Sequence, residues 1–124
     1  MTNPVLYILM REDLWDMNPG KAIAQASHAT SDFENYDPDN SFFSSVADWC
    51  VNRKFGTTVV LEAPLSDFEG IVNSTRYNGV VTDPTYPYRN YYEKLFTSSE
   101  ITCMWVFATT DEELEFMKQW RLHP

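Results

Sequence analysis

Val5-Leu6-Tyr7-Ile8-Leu9-Met10, and beyond it Asn18-Pro19-Gly20-Lys21-Ala22-Ile23-Ala24-Gln25-Ala26-Ser27-His28-Ala29, form the stretch that decides the fold. The first block is apolar at every position. It lacks the alternation of a half-buried strand and reads as a strand covered on both faces. In the second block Asn18 is a cap-type residue and Pro19 suits the first helical position, which predicts a helix from there to about Tyr36. A buried strand leading into a helix is the opening unit of an α/β fold, in which ligands gather where strands end and helices begin.

Working outward, the alternation continues. Asp37-Pro38-Asp39-Asn40 breaks the helix, and Phe42, Val46, Trp49 and Cys50 recur at helical spacing in a second helix from about Ser41 to Arg53. Phe55-Gly56 ends that unit, and the β-branched run Thr57–Glu62 predicts a second strand. Ser66 and Glu69 stand at capping-box spacing and open a third helix ending near Asn78-Gly79. Val80-Val81-Thr82 reads as a short third strand, Asp83 to about Ser99 as a Pro- and Tyr-rich connection, and Ile101–Ala108 as a fourth, fully apolar strand. Thr110 and Glu113 cap a last helix containing Leu114, Met117 and Trp120. The order β-α-α-β-α-β-β-α predicts one α/β domain over residues 1–124. It has three layers: a four-stranded mixed, mostly parallel sheet with helices on both faces. The direct link between the third and fourth strands admits one antiparallel pair.

Composition narrows the function. A chain of 124 residues with 44% hydrophobic and 22% charged residues is long and apolar enough to bury a core without metals or disulfides. The run Val5–Met10 is far short of the about 20 residues a membrane span needs, and no basic segment precedes it, so neither a span nor a signal peptide is expected. Cys50 and Cys103 are expected as free thiols, too few for a cysteine-based zinc site, and no metal or cofactor is implied. Eighteen acidic against nine basic side chains give a formal net charge of −9, which repels nucleic acid at long range. Contact with RNA then rests on a local basic patch, for which Arg53, Lys54, Arg76, Arg89 and Lys94 together with Lys21 are the candidates. The acidic groups around Asp32–Asp39 and Asp111–Glu115 read as solvated surface.

The first helix separates its residues by face. Ala22, Ala26, Ala29 and Phe33 make a small-residue face suited to a sheet, whereas Lys21, Gln25, His28 and Asp32 form a polar stripe. Such a stripe is most often a solvated face. Against that, Lys21 sits in the first turn, where the macrodipole disfavours a cation, and a residue that breaks a local stability rule can be kept for its chemistry.

Gly20-Lys21, Ala24-Gln25 and His28-Ala29, after a strand ending in Arg11-Glu12-Asp13-Leu14, resemble the signature of the archaeal and eukaryotic-type peptidyl-tRNA hydrolase family. The order of elements agrees with that family over nearly the whole chain. The resemblance implies hydrolysis of the ester between a peptide and the terminal ribose of tRNA, without a metal, by a cytoplasmic protein, with a homodimer as a candidate assembly. It carries the catalytic set onto Lys21, Gln25, His28, Asp83 and Thr102. Lys21 would meet the oxyanion or orient Asp83, and Asp83 would position or deprotonate water. Gln25 and His28 would hydrogen-bond the ester or ribose, and a threonine hydroxyl at 85 or 102 would help orient the water. Where the family continues Asp-x-Gly-x-Thr, this chain has Asp83-Pro84-Thr85-Tyr86-Pro87, a segment similar to that of phage-encoded members. By pattern alone Asp83-Pro84 opens a turn.

The stretch that follows interleaves Tyr86, Tyr88, Tyr91, Tyr92 and Phe96 with Arg89 and Lys94. Aromatic rings among cations suit stacking on unpaired bases, so Thr85, Tyr86, Arg89 and Lys94 are candidate substrate contacts. The same tyrosines also suit a loop that covers the sheet edge, or a protein interface through residues 86–96 in a member without activity. Hydrolysis of another small ester or amide would use the same residues.

Overall fold

A computed structural model describes residues 3–14, 17–53, 56–89 and 95–124, with side chains described at all of these except 52–53, 87–89 and 95–98. The elements are β1 (Val5–Arg11), α1 (Pro19–Glu34), α2 (Asn40–Arg53), β2 (Thr58–Ala63), α3 (Leu65–Ser74), β3 (Asn78–Arg89), β4 (Leu95–Ala108) and α4 (Asp111–Met117). They build an α/β fold on a four-stranded mixed sheet of order β2-β1-β4-β3.

The strand directions correct one expectation. β1 runs parallel to β2, and β4 runs antiparallel to both β1 and β3. Three strands therefore share a direction, yet two of the three neighbouring pairs are antiparallel rather than one. The reason lies in β4, which is buried at every position from Thr102 to Ala108. A strand that is apolar on both faces belongs in the middle of a sheet, so β4 inserts between β1 and β3 instead of lying at the edge.

Side chains of β1 alternate between two cores. Leu6, Ile8 and Met10 join Ala22, Ala29 and Phe33 of α1 and Phe42 and Trp49 of α2 on one face. Leu9 joins Phe68 and Ile71 of α3 and Met117 of α4 on the other, so helices cover both faces. Asn18 caps α1 as expected, its side chain accepting from the Lys21 amide at 3.0 Å. The helix stops at Glu34, because Tyr36 turns back to pack edge-on against Trp105, ring centroids 4.9 Å apart.

Three further expectations change. α3 ends at Ser74, and Asn78 and Gly79 open β3 rather than close that helix. Ser66 and Glu69 form no capping box, since the N-cap position falls on Pro64, two residues ahead of Ser66. The Leu65 amide is met instead from a distance, by Asp13 Oδ1 at 3.0 Å. The stretch from Asp83 to Ser99 is not a loose connection: β3 and β4 pair from Asn78 to Arg89 as one long hairpin. Pro84 and Pro87 are tolerated because β3 is an edge strand.

That hairpin carries two irregularities. Val81 faces Cys103 but Thr82 faces Ile101, which leaves Thr102 without an opposite number. Asp83 faces Glu100 and Tyr86 faces Ser98, so Pro84 and Thr85 stand opposite Ser99 alone. An extra residue shifts the phase of the strand and re-aims the side chains beyond it.

Candidate functional site

The site forms where α1 starts, beyond the carboxyl end of β1 and against the β3–β4 hairpin. Asn18 fixes the first turn of α1 and so places Lys21, Gln25 and His28 on successive turns of one stripe. Gln25 is 2% exposed and Thr102 fully buried. The Thr102 hydroxyl donates to Gln25 Oε1 at 2.6 Å, and Gln25 Nε2 donates to Asp83 Oδ2 at 2.8 Å. Only one orientation of the amide makes both bonds, because the reversed one would turn an oxygen toward a carboxylate. The bulge at Thr102 is what makes this possible: consecutive residues both face α1, Thr102 through its hydroxyl and Cys103 through its thiol, 3.5 Å from the Gln25 carbonyl.

Asp83 is held from both sides. Oδ1 accepts from the Thr85 amide at 2.9 Å and lies 3.4 Å from the Thr85 hydroxyl, while Oδ2 takes Gln25. Burial by itself pushes this carboxyl up. The hydrogen bonds from Gln25 and Thr85, together with the charge of nearby His28, outweigh burial and hold it below the usual carboxylate range. Lys21 Nζ lies 5.4 Å from the centre of the Tyr86 ring, and the Tyr86 hydroxyl points to Met17 Sδ at 3.9 Å. Burial pushes the Cys103 thiol up to about 12, so at neutral pH it remains a thiol and no nucleophile.

Of the residues singled out in the sequence, Lys21, Gln25, Asp83, Thr85, Tyr86 and Thr102 come together here, all on the α1 side of the sheet. His28 is exposed on the same stripe and acts on Asp83 through its charge. Thr102 is too deep to touch a water or substrate and works through Gln25. Tyr86, at 1% exposure, offers no face for a base to stack on. Lys94, Lys54, Tyr91 and Tyr92 lie outside the described residues, as do the side chains of Arg53, Tyr88, Arg89 and Phe96.

Three members of the expected surface groups are engaged elsewhere. Asp32 leaves the stripe's chemistry: its Oδ2 accepts from the fully buried Trp105 indole at 2.7 Å. A Cβ on Gly79 would collide with both partners, which is why glycine stands there. Arg76 binds Asp39 at 3.1 Å and lies over the Tyr77 ring. Met17 opens the motif stretch, but neither it nor Cys103 carries a sequence signal for its place here, and Arg11 stands out in the sequence only as a motif residue. Arg11 in fact binds Glu100, the residue across from Asp83, at 3.3 Å and the Ile101 carbonyl at 3.1 Å, bracing the floor of the site.

Among the described residues, no group of three or more His, Cys, Asp or Glu is placed to hold a metal ion, and no helix is long and apolar enough to cross a membrane. No protein-family model matches the chain, and no curated protein matches it either.

Proposed function

We propose that this chain is an esterase of the archaeal and eukaryotic peptidyl-tRNA hydrolase type, cleaving the ester between a peptide and the terminal ribose of tRNA. The observation that carries the reading is the hydrogen bond from Gln25 to Asp83, which joins the helix motif to the strand segment at 2.8 Å. A water oxygen adds to the ester carbonyl, the bond to the ribose oxygen breaks, and the proton lost by the water ends on that oxygen. The products are a free peptide carboxyl group and a tRNA hydroxyl. A carboxylate held below its usual range is a weak base but a firm acceptor, so Asp83 orients the water. Lys21 supplies positive charge to the carbonyl oxygen as it becomes an oxyanion. His28, exposed on the same stripe, hydrogen-bonds the leaving ribose oxygen.

The test is release of peptide from an N-blocked aminoacyl-tRNA by wild type, Lys21→Ala and Asp83→Asn. The expected result is turnover by wild type and a loss of about a hundredfold or more in each variant with folding intact. Absence of turnover by wild type over a range of salt would overturn the proposal.

A second reading, a binding protein without turnover, is favoured by the net charge of −9, which works against RNA. Salt separates the two. Affinity for tRNA falls steeply as salt rises, whereas an apolar protein interface responds little.

A further inference from the structure

We propose that Tyr86 is a positioning residue: its ring, carried beneath α1 by the Pro84-Thr85 bulge, holds the Lys21 ammonium at the start of α1, on the face of the sheet where Gln25 binds Asp83. The inference rests on the reading of Lys21 and Asp83 as the working pair of an ester-cleaving site.

The register supplies the first step. In an even strand the side chains at 83, 85 and 87 would share a face and residue 86 would point away from it. Here Asp83 lies across from Glu100 and Tyr86 across from Ser98, so the extra residue changes the phase between them. Asp83 accordingly reaches Gln25 on α1, and Tyr86 reaches Lys21 on the same helix.

Lys21 supplies the second step. Its flexible stem carries a compact charge in the first turn of α1, where the dipole opposes a cation. The ring face beneath the ammonium, 5.4 Å from Nζ to centroid, attracts the cation through the aromatic quadrupole. Burial on all sides fixes the ring, and the hydroxyl at its far end adds only a weak contact with Met17 Sδ, just ahead of the Asn18 cap. Tyr86 thus spans from the edge strand to the start of α1, and a ring so buried does not itself touch substrate.

Tyr86→Phe and Tyr86→Leu in the full chain test this, with two readouts. Protons held over a ring face resonate upfield, so the assigned Lys21 side-chain protons should be shifted upfield in wild type and Tyr86→Phe and return to ordinary positions in Tyr86→Leu. In the peptidyl-tRNA assay, Tyr86→Phe should stay within about twofold of wild type, while Tyr86→Leu lowers kcat about tenfold with KM little changed, the signature of a misplaced group rather than lost binding. An upfield shift that persists in Tyr86→Leu, or a kcat that survives its loss, overturns the proposal. If wild type shows the shift but cleaves no peptidyl-tRNA, the hydrolase reading falls and the Tyr86–Lys21 contact stands. If Tyr86→Leu does not fold, Lys21→Met serves in its place: the Tyr86 ring resonances must move, and their failure to move overturns the proposal.

Discussion

Gln25 shows how one side chain converts a buried position into a site. A buried amide needs partners for both ends, and here one end is fixed by a hydroxyl so that the other meets a carboxylate. Thr102→Val keeps the shape and removes the donor, leaving the Gln25 oxygen unpaired. The expected cost is about 1–3 kcal/mol in urea unfolding, and Thr102→Ser should restore most of it. Asp83 makes a prediction in pH. Its carboxyl lies below the ordinary 3.8, so the unfolded chain takes up that proton more readily than the folded one. The stability it contributes is present above the unfolded value and is lost as pH falls through the folded one. The stability gap between wild type and Asp83→Asn should therefore shrink as pH is lowered from about 6 to about 3; a gap that widens on acidification contradicts the account. Lys21, Gln25 and Asp83 were legible only through the family resemblance, since pattern alone reads the polar stripe as a solvated face and Asp83-Pro84 as a turn. That Thr102 turns inward and Tyr86 is buried was not, because an extra residue in one strand leaves no mark on composition.

At the scale of elements, hydrophobic pattern and cap chemistry separate what was readable from what was not. β1 and the Ile101–Ala108 part of β4 show as largely apolar runs, and Asn18 and Thr110 announce helix starts that the structure has. The Thr110 hydroxyl meets the Glu113 amide at 3.2 Å, and the Glu113 carboxylate returns to the Thr109 amide and the Thr110 hydroxyl. Ser66 and Glu69 carry the same spacing without the structure, since local sequence does not show that Asp13, far along the chain, already occupies the Leu65 amide. The contrast is measurable. Thr110→Ala should cost about 1 kcal/mol. Ser66→Ala, at an exposed position, should stay within about 0.5 kcal/mol. A Ser66→Ala loss as large as that of Thr110→Ala would mean that α3 is capped from its own sequence after all. The long β3–β4 hairpin was hidden for a related reason. Pro84 and Pro87 argue against a strand in the interior of a sheet, and only the strand order reveals that they stand on its edge.

Over the whole molecule, the sheet divides the charge problem that composition poses. Gln25 meets Asp83 and Lys21 meets Tyr86 on the face covered by α1, whereas α4, with Asp111, Glu112, Glu113 and Glu115, packs with α3 on the other face. Glu113 is spent on its cap and on the Arg76 amide, and Glu115 on exposed Lys118. The acidic residues of α4 therefore bear on an RNA at the α1 face only through the long-range field, which salt screens beyond about 10 Å at 0.1 M. Glu112→Gln with Glu115→Gln lowers the net negative charge without touching the proposed site. At about 10 mM ionic strength the double variant should show a KM for peptidyl-tRNA several-fold lower than wild type with kcat unchanged, because only the approach of the polyanion is eased. At about 0.5 M salt, where screening acts within a few ångströms, the two proteins should coincide. A change in kcat, or an advantage that survives high salt, would place these carboxylates in contact with the substrate and put the RNA across the sheet from Lys21.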